Sequence, residues 1–318
     1  MDEDPKKVLS LADVQKHSED YRTYVGLIIA LDRVFTSISK KIPADTRLIE
    51  GITTRILTTV QKQRDGFINY ILGGEVEGHG FAKNSVNTAI LSAHIAREMR
   101  LPNHRVIQTI TGALLHDVGM FRLSPELVNK TGDLSKEEVQ RMQSHVLHSY
   151  KIVHEELLYP EEMSALVMQH HERWDGAGYP QGLAGTDIHF GARIISVADA
   201  FEAMVSQKPY RNSMLGYQAM KNLLADNGLR FASDVLKAFI TVMGIYPIGS
   251  IILLNNGAMA RVVKVRKEAP LRPGIAVLVD QSGKVFEQNE GGLIDLFTEK
   301  SLFIVRAINP NELTNGAR

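Results

Sequence analysis

The sequence predicts a mainly α-helical protein closed by a small β-rich C-terminal module, and three observations carry that prediction. Apolar residues recur near the helical period from the N-terminal region to about residue 244. Beyond Gly244 the texture changes to short runs rich in β-branched residues, separated by turn signals. A length of 318 residues, with 44% hydrophobic and 23% charged side chains, supplies an ordinary globular composition and enough chain for a sizeable core.

Residues 8–42 and 45–72 read as two helices separated by Pro43. In the second, Leu48, Ile49, Ile52, Ile56, Val60, Gln63, Phe67 and Ile71 recur near the helical period, with Asp45 as N-cap and Gly73-Gly74 as stop. This stretch carries no set of catalytic side chains, so residues 1–76 are expected to be a helical accessory or dimerisation segment. Residues 77–244 stay helical, broken by turn clusters at Leu101-Pro102-Asn103, Lys130-Thr131-Gly132-Asp133 and Asp175 to Pro180. Ser135 with Glu138 is a capping box for a helix expected to run through Met142 and His145. Pro160 ends one helix, and the helix that begins at Glu161 is expected to carry His170 and His171. In residues 245–318, strands are expected at Ile251–Leu254, Ala260–Val265, Ala276–Val279 and Leu302–Val305. Asn255-Asn256-Gly257, Pro273-Gly274 and Ser282-Gly283 supply the turns between them.

Composition narrows the chemistry. The formal net charge is +0, so no global field draws the chain to a nucleic-acid polymer or an anionic membrane, and neither is expected as a partner. The absence of cysteine excludes disulfides, thiolate catalysis, iron–sulfur clusters and cysteine-type zinc sites. Any metal must be held by nitrogen and oxygen, which suits iron, manganese, nickel or zinc. The opening Met-Asp-Glu-Asp-Pro-Lys-Lys lacks the basic-then-apolar order of a secretory leader, and the apolar run Val25–Leu31 is too short to span a bilayer. A cytoplasmic address is expected.

The chemistry-bearing residues are His116-Asp117, His145, His148, His170-His171 with Asp175, and Asp199. The chain has 11 histidines, and most of those fit for metal binding fall between 116 and 171. Buried imidazoles and carboxylates lose hydration that only a hydrogen-bond partner or a cation restores. Asp199 follows the apolar Ile194-Ile195-Ser196-Val197-Ala198, where an ionised carboxylate needs such a partner. A metal-assisted hydrolase is the leading reading. His148 and Asp175 are expected to support the site rather than ligate.

Four strings make the reading specific: Leu114 to Gly119 (LLHDVG), His145, His170 to Pro180 (HHERWDGAGYP), and Ala192 to Phe201 (ARIISVADAF). Together they resemble the HD-GYP family, metal-dependent phosphodiesterases of the HD superfamily that act on cyclic di-GMP. The resemblance covers about 78–244, and the C-terminal β-module is similar to an extension seen in that family. It implies an HD-type helical bundle with the metals at its centre. Carried over position by position, it implies two divalent first-row ions, iron foremost, held by His116, Asp117, His145, His170, His171 and Asp199, with Asp117 bridging. Lys208 and Arg211 match basic residues that hold substrate phosphate, Lys208 standing where Arg is usual. Gly176, Gly178, Tyr179 and Pro180 match the loop that names the family. That loop is expected to border the substrate through Tyr179 and to offer a docking surface to diguanylate cyclase (GGDEF-type) domains.

Three positions depart from the pattern. Asn84 stands where a metal-binding His is usual, so an amide oxygen would complete that ion's shell less tightly. Gly80 stands where some trinuclear relatives use Glu, and Met120 replaces a phosphate-binding Lys. His79 is expected to be a solvent-exposed loop residue. The expected activity is hydrolysis of cyclic di-GMP to pGpG or GMP in bacterial second-messenger signalling. The alternative is a degenerate member that senses the nucleotide or docks a partner without turnover.

Overall fold

The computed structural model describes residues 18–62, 67–73, 79–206, 216–225, 228–286 and 290–308. Helix α1 (Glu19–Ser39) starts at Ser18, whose hydroxyl accepts a hydrogen bond from the Tyr21 amide at 3.1 Å, and Glu19 and Asp20 place negative charge in the first turn. Its inward face is Tyr24, Leu27, Ile28, Leu31, Val34, Phe35 and Ile38, each three or four residues from another member of the set. Helix α2 (Thr46–Lys62) and the short α3 (Ile68–Gly73) occupy the stretch expected as one helix, with residues 63–66 between them outside the described set.

Helix α4 (Gly80–Glu98) is the axis of the bundle. It buries almost every residue from Ala82 to Ala96, many of them Ala, Ser or Thr. Small side chains let neighbouring backbones approach closely, and α4 packs against α1, α2, α5 (Asn103–Leu115), α10 (Phe190–Val205) and α12 (Ser233–Met243). Between α5 and α10 lie a 3-10 turn (Val118–Arg122), α6 (Pro125–Val128), α7 (Lys136–Gln143), α8 (His145–Lys151), a π-helical turn (Ile152–Glu156) and α9 (Glu161–Met168). The Ser135–Glu138 capping box is present at α7. Helix α11 (Gly216–Ala225) follows α10, with 207–215 outside the described set. One continuous apolar core runs from Tyr24 on α1 to Met243 on α12, so α1 and α2 share the interior of the bundle.

Two helix expectations need correction. The helix expected through Met142 and His145 stops at Gln143, and a separate one begins at His145, because Ser144 turns its hydroxyl back onto the Arg141 carbonyl. Helix α9 ends at Met168, so His170 and His171 lie in the turn beyond it rather than on the helix.

The C-terminal residues form a five-stranded antiparallel sheet in the order β4-β3-β2-β1-β5. Its strands are β1 (Ile251–Leu254), β2 (Met259–Lys264), β3 (Gly274–Val279), β4 (Leu293–Asp295) and β5 (Ile304–Ala307). β1 and β2 pair with Ile252 opposite Ala260, across a turn where Gly257 has φ +85°. β5 begins two residues later than expected, and β4 was not anticipated, since three residues carry no readable alternation. No helix among the described residues is long and apolar enough to cross a membrane.

Candidate metal centre

Three helix C-termini converge on the centre. His116 caps α5, His145 follows the last turn of α7, and His170 follows the end of α9. In each, the imidazole Nδ1 lies 2.7 Å from the carbonyl oxygen three residues earlier: Ala113, Met142 and Val167 respectively. The last carbonyls of a helix have no partner within it, so a ring N–H is a natural donor to them. Donation from Nδ1 fixes the tautomer and leaves Nε2 with a lone pair aimed inward. The same helix ends carry partial negative charge, which favours a cation where they meet.

Asp117 stands at the junction. Its Oδ1 is 3.2 Å from His145 Nε2 and 3.7 Å from His170 Nε2, and its Oδ2 is 3.6 Å from His116 Nε2. Asp199 on α10 places Oδ1 3.4 Å from the same His116 nitrogen. The two oxygens of one carboxylate thus face two sets of ligands. Ligand atoms of Asp117, His145, His170 and His171 all lie within 4.8 Å of one another. Although buried, Nε2 of His145 and of His170 makes no hydrogen bond. Orphaned lone pairs on buried imidazoles beside carboxylates are what a divalent cation satisfies, so the residues fit a metal.

Charge follows the same division. Burial disfavours a charged His116, but Asp117 and Asp199 outweigh it and raise its pKa to about 9, so a cation entering there would displace the Nε2 proton of this ring. Burial alone would raise Asp117 and Asp199, yet the imidazoles around them hold both carboxyls well below the usual range. Burial pushes His170 down, and burial with the neighbouring His170 pushes His171 well down, so both rings stay neutral and ligand-competent.

The loop after His171 is stapled by a residue the sequence reading passed over. Glu172, 2% exposed, accepts from the Gln181 amide at 2.6 Å and the Leu183 amide at 3.0 Å. Asp175 pairs with Arg173 and accepts from the Ala177 amide at 3.0 Å, a supporting role inside the loop. Gly178 is packed so closely that a Cβ there would lie 2.4 Å from the Arg173 nitrogen. The loop thereby lays the Tyr179 ring against His171, with centroids 4.9 Å apart. An acid directly after the His-His pair is the signal that was available for Glu172.

The remaining candidates are placed as follows. Asn84 lies on α4, its amide donating to Glu202 Oε1 at 3.0 Å and to the Gly80 carbonyl at 3.2 Å, outside the four-residue group. Met120 lies in the 3-10 turn after Asp117. His148 lies outside the four-residue group. His79, expected as a solvent-exposed loop residue, instead precedes α4 with Nδ1 3.2 Å from Asp32 of α1, partly buried by that contact. Lys208 and Arg211 lie outside the described residues.

A family model described as HD domain matches residues 75–235, and one described as KOW domain associated with HD domain matches 251–316. The cyclic di-GMP phosphodiesterase PdeB of Borreliella burgdorferi is 29% identical over 247 residues, covering 78% of this chain and 65% of that protein. A cyclic di-GMP phosphodiesterase of Pseudomonas aeruginosa is 32% identical over 206 residues, covering 64% of this chain and 49% of the relative. The chain therefore spans less than two thirds of the length of these curated relatives. Among solved structures, Bd1817, a HDG"Y"P protein from Bdellovibrio bacteriovorus, matches with a TM-score of 0.56 at 17% identity, covering 71% of this chain and 73% of that one. That last likeness is one of fold.

Proposed function

We propose that the chain, which belongs to the HD domain family, is an HD-GYP-type metal-dependent phosphodiesterase that hydrolyses cyclic di-GMP to pGpG or GMP. One observation carries the reading: Asp117 turns one oxygen to His145 and His170 and the other to His116. A carboxylate so placed could serve two cations at once. His116, Asp117 and Asp199, with Asn84, would hold one ion, and Asp117, His145, His170 and His171 the other. Iron is the first candidate, with manganese, nickel and zinc as alternatives.

Bound ions would supply Lewis-acid polarisation of the phosphoryl oxygens and a water that ionises near neutral pH. The chain's own residues do the rest. The Nδ1–carbonyl bonds hold three imidazoles in the tautomer that presents Nε2. The Tyr179 phenol, pushed to higher pKa by burial and by the Asp117 and Asp199 charges, stays protonated and can donate a hydrogen bond to a substrate oxygen. Lys208 and Arg211 are assigned to the substrate phosphates.

The same reading divides the chain into a helical accessory segment (1–76), the phosphodiesterase domain (77–244) and a β-rich module (245–318). It assigns a cytoplasmic site of action, a dimer through the N-terminal helices and a cyclase-docking role for the Gly176–Pro180 loop. A second reading, a nucleotide sensor without turnover, is favoured by Asn84, whose amide is engaged by Glu202 and Gly80. Incubating the full chain, loaded with iron or manganese, with cyclic di-GMP and resolving products by chromatography separates the two. Appearance of pGpG or GMP supports hydrolysis. Tight nucleotide binding without product supports the sensor.

A further inference from the structure

A cleft of about 280 Å³ opens where the N-terminal helices, the bundle and the β-module meet, and its lining is cationic. Lys62 comes from the end of α2, His94, Arg97 and Glu98 from the last turns of α4, and Lys267 from the connection between β2 and β3. Three permanent cations thus face one carboxylate. Glu98 is already paired with Lys267. Among the described residues, neither Lys62 nor Arg97 has a carboxylate within ion-pair distance. Arg97 gives one N–H to the Val60 carbonyl, which accounts for its place at the end of α2 but uses only part of a guanidinium with five donors. His94 is 5% exposed, so the cleft has a buried polar side chain in its lining as well as the cations.

Like charges gathered in a partly enclosed cleft repel one another, and a bound anion relieves that repulsion while satisfying the unused donors. The volume falls just below the range of roughly 300–1,000 Å³ typical of sites for drug-sized ligands, which selects a compact anion over a whole cyclic dinucleotide. His94 lies ten residues along α4 from Asn84, about 15 Å at the helical rise, so the cleft is separate from the metal centre.

We propose that this cleft is a second binding site, for a compact phosphate-bearing anion that fastens α2, α4 and the β-module together. The inference stands apart from the reading of the metal centre, since none of its residues belongs to that cluster.

The test uses the full chain with isotopically labelled histidine. The His94 ring signal is identified by its loss in His94→Gln. Inorganic pyrophosphate and GMP are titrated separately at constant ionic strength, distinguishing a free anion from the phosphate of a nucleotide. The expected result is a saturable shift of the His94 signal with at least one of the two. In Lys62→Gln/Arg97→Gln the apparent affinity falls by about tenfold or more, as two charge-assisted hydrogen bonds are lost. Lys62→Gln alone, at an exposed helix end, shows a smaller loss in the same direction and serves if the double variant does not fold. No His94 shift with either probe, or an unchanged titration in Lys62→Gln and in the double variant, overturns the proposal.

Discussion

Asn87 donates its side-chain amide to Glu202 Oε1 at 3.2 Å, and both side chains are buried in the middle of the bundle. Asn87 also accepts from the Tyr24 hydroxyl at 2.7 Å, so a polar chain runs from α1 through α4 to α10. Ser206 donates to the same carboxylate oxygen, as does Asn84. Glu202 lies one turn from Asp199, and Asn87 one turn from Asn84. Helix α1 is therefore hydrogen-bonded to the frame on which the candidate metal centre is built.

This chain sets the first prediction. Tyr24→Phe removes one buried hydrogen bond at nearly constant shape and should cost about 1 kcal/mol. Asn87→Leu should cost more, about 2–3 kcal/mol, because it leaves the Tyr24 hydroxyl unpaired and strips a donor from Glu202 in a dry interior. Urea unfolding midpoints measure both. Equal costs would mean that the middle residue is not the link.

Metal content tests the centre itself. If two ions bind as proposed, Asp117→Ala should lower bound iron or manganese from two equivalents to well under one, since both positions would lose a ligand, whereas Asp199→Ala should spare the ion assigned to His145, His170 and His171. Elemental analysis of anaerobically purified protein gives the counts. Two full equivalents in Asp117→Ala would contradict the bridge.

Backbone approach supplies a test in which no proposed ligand is replaced. A Cβ on Gly119 would lie 2.0 Å from the His145 carbonyl oxygen and 2.4 Å from the Ser149 nitrogen. Gly119→Ala must push α8 away, at a cost of about 1–3 kcal/mol, and should weaken metal binding by moving His145. Gly80→Ala is the control, because nothing lies within 4 Å of its added carbon. Thermal melts with and without added metal should separate the two variants.

A pH dependence follows from His189. Its Nδ1 accepts from the Gly191 amide at 3.1 Å, capping α10, and therefore must be unprotonated. Burial pushes its pKa below 6.5, in spite of Glu162. A depressed folded pKa means the unfolded chain takes up the proton first. Stability from this residue is full above about pH 6.5 and is lost as pH falls through the folded value. His189→Asn, which caps without titrating, should match the parent protein at pH 7.5 and exceed it at pH 5.5 in urea midpoint. Parallel pH curves for the two proteins would remove His189 from the account.

Some of this molecule is written locally and some is not. The Ser135–Glu138 cap, the β1–β2 turn at Asn255-Asn256-Gly257 and the inward face of α2 each depend on residues a few positions apart, and each was legible. The pairing of β4, a strand of three residues, was not, because its partner supplies the register. The break at Ser144 and the turn that carries His170 and His171 also escaped a reading based on period. Periodicity reports which face is apolar, not where a side chain or a neighbouring element ends the hydrogen-bond ladder.

The sequence by itself determined the cast of the centre: nitrogen and oxygen ligands only, in His-Asp, His-His and lone Asp segments that match one family. Only the tertiary structure decided that three helix C-termini converge and each anchors its imidazole to a carbonyl three residues back. It alone also set Glu172 over the loop, His79 against Asp32, and Lys62, Arg97 and Lys267 around one cleft. The reason is physical. Which atoms can bind a cation is a property of the residue, whereas where orphaned carbonyls, carboxylates and cations meet is settled by packing between segments far apart in the chain.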